Sequence, residues 1–245
     1  MRLLVINPNT TELMRQQIDE GARKYASPGT EIVTLCAASG PRSIEGEYDV
    51  ALSAVGTLQT LVANEKDYDG FVVACGQDPG LYACREVTTK PVVGIGEASM
   101  YMACLLGHRF TSMTALWRMV PLMVTMVRRY GLTDRCASVR AAGVKVIDIA
   151  ADRGRTVEAF IKEARVAIDK DGADVICLSG AAMVGMDKIM EKELGVPVTD
   201  GVVSAVKLVE AQVAYGLHTS KKNTFAFPER KDAVNVGEVL RSVYE

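Results

Sequence analysis

The stretch DGFVVACG, residues 69–76, decides the fold because DVICLSGA, residues 174–181, repeats its pattern. In each stretch an aspartate precedes a short apolar run, and small residues follow the run. Unbroken apolar runs of this kind are typical of parallel strands that helices cover on both faces. When the two stretches are aligned on their aspartates, Cys75 pairs with Gly180.

Two further pairs of segments repeat in the same order. KPVVGIGEAS (90–99) matches VPVTDGVVSA (196–205), and RLLVINPNTT (2–11) matches RFTSMTALWR (109–118). The three offsets agree to within about two residues, which indicates an internal repeat. Since longer helical patterns separate the apolar runs, we predict an α/β protein of two similar Rossmann-like parallel-sheet units related by a pseudo-twofold axis. We assign residues 1–97 and 206–245 to the first unit and 98–205 to the second.

Composition favours a small-molecule ligand. The chain has 245 residues, 49% of them hydrophobic, and its net charge of −2 comes from 28 basic and 30 acidic side chains without a long run of either. We therefore expect no nucleic-acid partner and no membrane partner. The sequence shows neither a leader pattern nor an apolar stretch long enough for a bilayer, so we expect a cytoplasmic protein.

The cysteines and histidines do not form a metal-binding pattern. Six cysteines occur without a CxxC spacing, in a chain large enough to fold without disulfides, so we expect reduced thiols. The two histidines, His108 and His218, have no close histidine or carboxylate partner in the sequence. We therefore expect no metal site.

Ligands of open parallel sheets bind beyond the carboxyl ends of the strands. We expect the site in the cleft where the strand ends of the two units converge. The candidate residues at these ends are Pro8, Asn9, Thr10, Cys75, Gly76, Gln77, Thr114, Leu116, Ser179, Gly180 and Ala181. For Pro8, Asn9, Thr10 and Thr114, hydrogen bonding to a ring ligand and simple helix capping remain equally open.

Cys75 is either an inert buried thiol or the reactive group, and the chain pattern alone leaves both interpretations open. Asp78 and Pro79 predict that a helix begins directly after the strand. A thiolate near that helix N-terminus would have a lowered pKa. The amides of Gly76 and Gln77 could stabilise negative charge on a substrate oxygen.

Several motifs, in order along nearly the whole chain, resemble one family. They are INPNTT (6–11), GPRSIEGEYD (40–49), the Cys75 segment with PVVGIGEAS (91–99), RCASVRA (135–141) and PVTDGVVSAVKLVE (197–210). Together they resemble the hydantoin and allantoin racemases of the aspartate/glutamate racemase superfamily. In the loop at 40–49, Ile44 and Tyr48 are candidates for an apolar wall beside the substituent of the substrate.

The resemblance implies a cofactor-independent racemase with one cysteine on each face of a cyclic ureide. One thiolate would remove the proton next to the ring carbonyl, and the other thiol would protonate the opposite face. Where relatives carry a motif like Leu-Gly-Cys-Ala-Gly-Met, this chain has LSGAAM at 178–183, so Gly180 replaces the second cysteine. Cys177 lies roughly 10 Å back along the strand, which is too far for it to substitute.

Several readings of the missing cysteine stay open. The protein could be a hydantoin or allantoin racemase that uses Cys75 with a water or another group, or an engineered chain from which the second cysteine was removed. It could protonate an enolate with one cysteine, as arylmalonate decarboxylases do in the mirror arrangement. It could also bind a ureide without turnover, which an unactivated Cys75 would favour. We expect a homo-oligomer in each case.

Overall fold

The computed structural model describes residues 1–244. The first sheet contains the strands β1 (Arg2–Asn7), β2 (Glu31–Cys36), β3 (Gly70–Val73) and β4 (Val92–Gly94). All neighbours pair in parallel, in the spatial order β2-β1-β3-β4. The helices between these strands are α1 (Glu12–Tyr25), α2 (Glu47–Asn64) and α3 (Leu81–Val87).

The second sheet repeats this arrangement. Its strands are β5 (Phe110–Thr114), β6 (Cys136–Ala141), β7 (Val175–Leu178) and β8 (Val198–Asp200), in the order β6-β5-β7-β8 and again all parallel. Its connecting helices are α5 (Val120–Arg129), α6 (Val146–Ala151), α7 (Arg153–Asp171) and α8 (Asp187–Leu194). The predicted α/β fold with two similar parallel sheets is confirmed.

The register explains why Cys75 and Gly180 are equivalent. Strand β3 ends at Val73, which pairs with Ile6 of β1, and strand β7 ends at Leu178, which pairs with Met113 of β5. Cys75 and Gly180 each lie two residues beyond these strand ends. The two positions therefore occupy the same place in their respective units, as the repeat predicted.

The central strands are buried on both faces. Val72 and Ala74 pack in one core cluster with Val5, whereas Phe71 and Val73 pack in another on the opposite face of the sheet. Successive side chains of a strand point to opposite faces, so an unbroken apolar run supplies both clusters. Each fully buried Val or Phe contributes about 1.5–3 kcal/mol relative to an exposed one.

Two helices cross between the units. Helix α4 (Ile95–Leu106) follows β4 but packs against β7 and β8 of the second sheet, and α9 (Gly201–Tyr215) follows β8 but packs against β3 and β4 of the first. The predicted boundaries 97/98 and 205/206 fall inside these two helices, and the division into units stays a prediction.

The short helix α10 (Glu238–Arg241) packs on α2. None of the helices within residues 1–244 is both long and apolar enough to cross a membrane.

Asp78 caps α4 rather than the helix that directly follows it. Its buried carboxylate accepts hydrogen bonds from the main-chain N–H groups of Gly96 (2.9 Å) and Glu97 (2.8 Å) and from the hydroxyl of Tyr130 (2.6 Å). A Cβ on Gly94 would lie 2.3 Å from Asp78 Cγ, so the glycine makes room for this carboxylate.

The prediction that a helix begins at Asp78 and Pro79 is therefore wrong. Asp78 has a φ of +45° and Gly80 a φ of +75°, so the chain turns through two left-handed residues before α3 starts at Leu81. This turn directs the carboxylate away from α3 and towards α4. In the second unit, Asp200 instead caps its own helix α9, accepting from the N–H groups of Val202 (2.8 Å) and Val203 (3.2 Å).

We expect Asp78→Asn to lower the free energy of unfolding by roughly 1–3 kcal/mol, because the new amide N–H₂ faces groups that are themselves donors. Urea denaturation measures the change. The matched control is Asp152→Asn at the exposed N-cap of α7, where one side-chain oxygen accepts from Arg155 N (3.1 Å). Asn and Asp are equivalent caps, so the control should stay within about 0.5 kcal/mol. Equal effects of the two substitutions would contradict the role of Asp78.

Candidate active site

One cavity of about 540 Å³ lies at the carboxyl ends of β3 and β7, with walls from both units. The predicted cleft between the units thus coincides with a space large enough for a small cyclic molecule. Much of the wall is apolar, and its side chains include Leu13, Ile44, Met113, Leu116, Met119 and Met123.

The cavity brings together most of the residues that the sequence predicted. The predicted residues that line it are Asn9, Ile44, Cys75, Gly76, Gln77, Thr114, Leu116, Ser179, Gly180 and Ala181. They come from strand ends of both sheets and from the loop before α2. Their convergence follows from the topology, because the carboxyl ends of parallel strands meet at one edge of each sheet.

Three predicted residues do not line the cavity. Pro8 is buried in the turn after β1, and the hydroxyl of Thr10 donates to the carbonyl of Pro41 (3.3 Å) on the outside of that turn. Tyr48 lies at the start of α2 with 77% of its surface exposed. Of the predicted apolar wall, Ile44 is the member that lines the cavity, because α2 turns Tyr48 outward.

Helices and the turn before α5 contribute further wall residues that the sequence pattern does not predict. Leu13, Met14 and Gln17 come from α1, and Met119 and Met123 come from the turn before α5 and from α5 itself. Leu13 carries a signal in the sequence, since it lies three residues after the strand-end candidate Thr10 and in the first turn of the helix that borders the site. The methionines carry no comparable signal, because methionine is common in ordinary cores.

Asn9 is oriented by hydrogen bonds within its own turn. Its Oδ1 accepts from Nδ2 of Asn7 (2.9 Å) and from the main-chain N–H of Thr11 (2.9 Å). The oxygen is thus engaged inside the protein, and Nδ2 is the side-chain group that Asn9 can offer to a ligand. An amide N–H₂ suits a ring carbonyl.

Cys75 is a partly buried free thiol at the cavity wall. Burial raises the pKa of Cys75 to about 12, and the Asp78 carboxylate adds to this, whereas the main-chain N–H of Gln77 opposes it. The expectation of a lowered pKa is therefore wrong for the ligand-free protein. The physical reason is that α3 starts at Leu81, six residues after Cys75, and supplies no helix N-terminus to the thiol, so desolvation outweighs a single N–H group.

The polar side chains that precede Gly180 are engaged in hydrogen bonds inside the protein. The Ser179 hydroxyl is hydrogen-bonded to the hydroxyls of Ser99 (3.0 Å) and Ser112 (3.1 Å), and the Cys177 thiol donates to the carbonyl of Ser99 (3.6 Å). Ser179 and Cys177 are both buried in this network, and burial raises the pKa of Cys177. Neither side chain can take the place of a cysteine at 180.

The two strand ends touch main chain to main chain. A Cβ on Gly76 would lie 2.9 Å from the carbonyl oxygen of Ser179 and 3.2 Å from the Cα of Gly180. Glycine at 76 is therefore required by the contact between the units. The cavity wall here is main chain on both sides, with Cys75 supplying the thiol.

Within residues 1–244, no three His, Cys, Asp or Glu side chains are grouped so that they could hold a metal ion. Besides the thiol of Cys75, the side chains that line the cavity supply amide groups, hydroxyls, the guanidinium of Arg42 and the carboxylate of Glu45.

Known proteins resemble this chain over nearly its whole length. The profile of the family described as Asp/Glu/Hydantoin racemase matches residues 3–209. A hydantoin racemase of Pseudomonas sp. (strain NS671) is 41% identical over 239 residues, covering 97% of this chain and 96% of that protein.

Two solved structures agree with this result. An allantoin racemase from Klebsiella pneumoniae has a TM-score of 0.92 at 39% identity and covers 99% of this chain and 98% of its own. An allantoin racemase from Pseudomonas fluorescens has a TM-score of 0.94 at 40% identity and covers 96% of this chain and 100% of its own. With matches of this extent in sequence and in fold, the chain belongs to the Asp/Glu/hydantoin racemase family and is an isomerase.

Proposed function

We propose that the protein racemises a 5-substituted hydantoin or allantoin and that Cys75 moves the proton of the ring carbon next to the carbonyl. The observation that carries the proposal is the thiol of Cys75 at the wall of a cavity between the two units, in a chain of this family. The reaction uses no cofactor.

The chemistry is a proton transfer in two steps. In the first step the C–H bond of the ring carbon breaks, its electron pair delocalises onto the carbonyl oxygen, and the proton forms an S–H bond on the Cys75 thiolate. Donors at the wall stabilise the charge on that oxygen, and the Nδ2 group of Asn9 and the main chain at Gly76 are the candidates. In the second step a proton returns to the ring carbon.

Inversion requires that the second proton reach the face opposite Cys75. A glycine at 180 has no acid to supply, and the Ser179 hydroxyl is engaged with Ser99 and Ser112. In this proposal, solvent that enters the cavity supplies the proton for the second face. Since such a donor is not held in place, inversion is slower than with two cysteines.

The wall supports a substrate with an apolar substituent. Methionine, leucine and isoleucine side chains surround a volume of about 540 Å³, which exceeds what the ring alone fills. A hydrocarbon substituent would bury apolar surface against these side chains, and the polar ureido group of allantoin would gain less from contact with them. We therefore favour hydantoins with large apolar substituents.

Replacing the thiol tests the proposal most simply. We expect Cys75→Ser to reduce racemisation of a 5-substituted hydantoin by about 10²–10⁴-fold, because a hydroxyl is a far weaker acid and base partner near neutral pH. Polarimetry on one pure enantiomer measures the rate, and Cys104→Ser, a partly buried thiol outside the cavity, is the matched control. Full activity in Cys75→Ser would contradict the proposal.

The decarboxylase-like alternative has its own test. If the wild-type protein is inactive on hydantoins but releases CO₂ from an arylmalonate, that alternative is favoured.

The raised pKa of Cys75 predicts a particular pH profile. With a pKa of about 12, the thiolate fraction increases about tenfold per pH unit between about pH 7 and pH 10. The rate of racemisation at low substrate concentration should rise in proportion to the thiolate fraction and show no plateau in that pH range. An unperturbed thiol would give a plateau above about pH 8.5 instead. Initial rates across this range, corrected for the uncatalysed reaction, distinguish the two.

Substrate preference tests the contribution of the apolar wall. We expect kcat/KM for 5-benzylhydantoin to exceed that for allantoin by at least about tenfold. Leu116→Gln, inside the cavity, should narrow this ratio, whereas Leu105→Gln, at a position 81% exposed on α4, should leave it unchanged. A higher kcat/KM for allantoin would contradict the proposed preference for apolar substituents. It would not affect the proposed role of Cys75.

A further inference from the structure

Met183 occupies the space that a side chain at position 180 would need. It ends the turn Ala181–Met183 after β7, and its main-chain N–H donates to the carbonyl of Gly180 (3.0 Å). A Cβ built on Gly180 would lie 2.5 Å from the Cε methyl of Met183, with no other atom of the described residues within 4 Å apart from the glycine and its chain neighbours. Met183 is buried and lines the cavity.

This placement changes what the second half of the site can do. A thioether methyl has no proton to give, and it fills room that a water molecule beside Gly180 would require. The residue before Gly180 does not compensate, because the Ser179 hydroxyl is committed to Ser99 and Ser112. Thr114 also lines the cavity, but an unassisted hydroxyl is a poor acid near neutral pH.

We propose that Met183 shields the second face of the bound substrate, so that the protein exchanges the ring proton with solvent through Cys75 more often than it inverts the ring carbon. This inference rests on the proposed function, since it assumes that Cys75 takes up that proton. The thiolate removes the proton, the S–H group exchanges with water, and the same sulfur returns a solvent proton to the same face. Inversion requires the rarer event in which solvent passes Met183.

Met183 can move to avoid a larger side chain at position 180. The methyl is the far end of a flexible chain with three rotatable bonds, so Met183 can turn aside when a larger group stands at 180. Shortening it to alanine should open the second face without disturbing the turn, whose hydrogen bond is main chain to main chain. Leucine keeps most of the volume and is the matched control.

The test follows one pure enantiomer of a 5-substituted hydantoin in D₂O and measures deuterium uptake at the ring carbon against loss of optical rotation. Wild type and Met183→Leu should show exchange faster than inversion, and Met183→Ala should reduce the ratio of exchange to inversion by about tenfold. The same ratio in all three proteins, or inversion as fast as exchange in the wild type, would overturn the shielding role. Absence of exchange in all three would reject the proposed function, and the shielding role with it.

A second measurement does not depend on turnover. In a Cys75→Ser background, Gly180→Cys introduces a thiol under the methyl of Met183, and its alkylation by iodoacetamide is followed by mass spectrometry of the peptide. Adding Met183→Ala should raise the alkylation rate about tenfold, whereas adding Met183→Leu should not. Equal alkylation rates with Met183→Ala and with Met183→Leu would contradict the placement of Met183, and this result does not depend on the substrate.

Discussion

The close approach of two main-chain turns, one from each unit, is the constraint on which the site depends. Gly76 after β3 lies so near Ser179 and Gly180 after β7 that a single Cβ at 76 would meet the Ser179 carbonyl oxygen at 2.9 Å. This contact places the two strand ends side by side at the wall of the cavity. It also holds the Cys75 turn against the position that is equivalent to it in the repeat.

The helices that cross between the units hold the Cys75 turn in place. Helix α4 leaves the first sheet and packs on the second, and its N-terminus is held by Asp78, three residues beyond the thiol. The turn that carries Cys75 is thereby attached to a helix packed on the opposite unit. In the second unit the corresponding cap is Asp200 at the end of β8, which also accepts from the N–H of Gly185 (2.7 Å). Both crossing helices are therefore capped by an aspartate, but Asp78 follows β3, whereas Asp200 ends β8, the strand directly before its helix.

The sequence predicted what periodicity and repetition encode. The offsets between the halves predicted two equal sheets and the pairing of Cys75 with Gly180, and the strand-end rule predicted nine residues of the cavity wall. It could not predict that Asp78 caps a helix that begins at Ile95, because that contact depends on a left-handed turn at Asp78 itself. The pKa of Cys75 was misjudged for a related reason, since desolvation is a property of the assembled cavity. The outward turn of Tyr48 and the methyl of Met183 beside Gly180 likewise follow from packing.

The central claim is that the protein breaks and re-forms the C–H bond of the ring carbon. The most direct measurement is the ¹H spectrum of a single hydantoin enantiomer in D₂O with the wild-type protein, recorded together with optical rotation. The account predicts that the ring C–H signal disappears as deuterium enters, and that any loss of rotation is accompanied by deuterium. Loss of rotation with the C–H signal retained would contradict it, because the ring carbon would then invert without exchanging its proton.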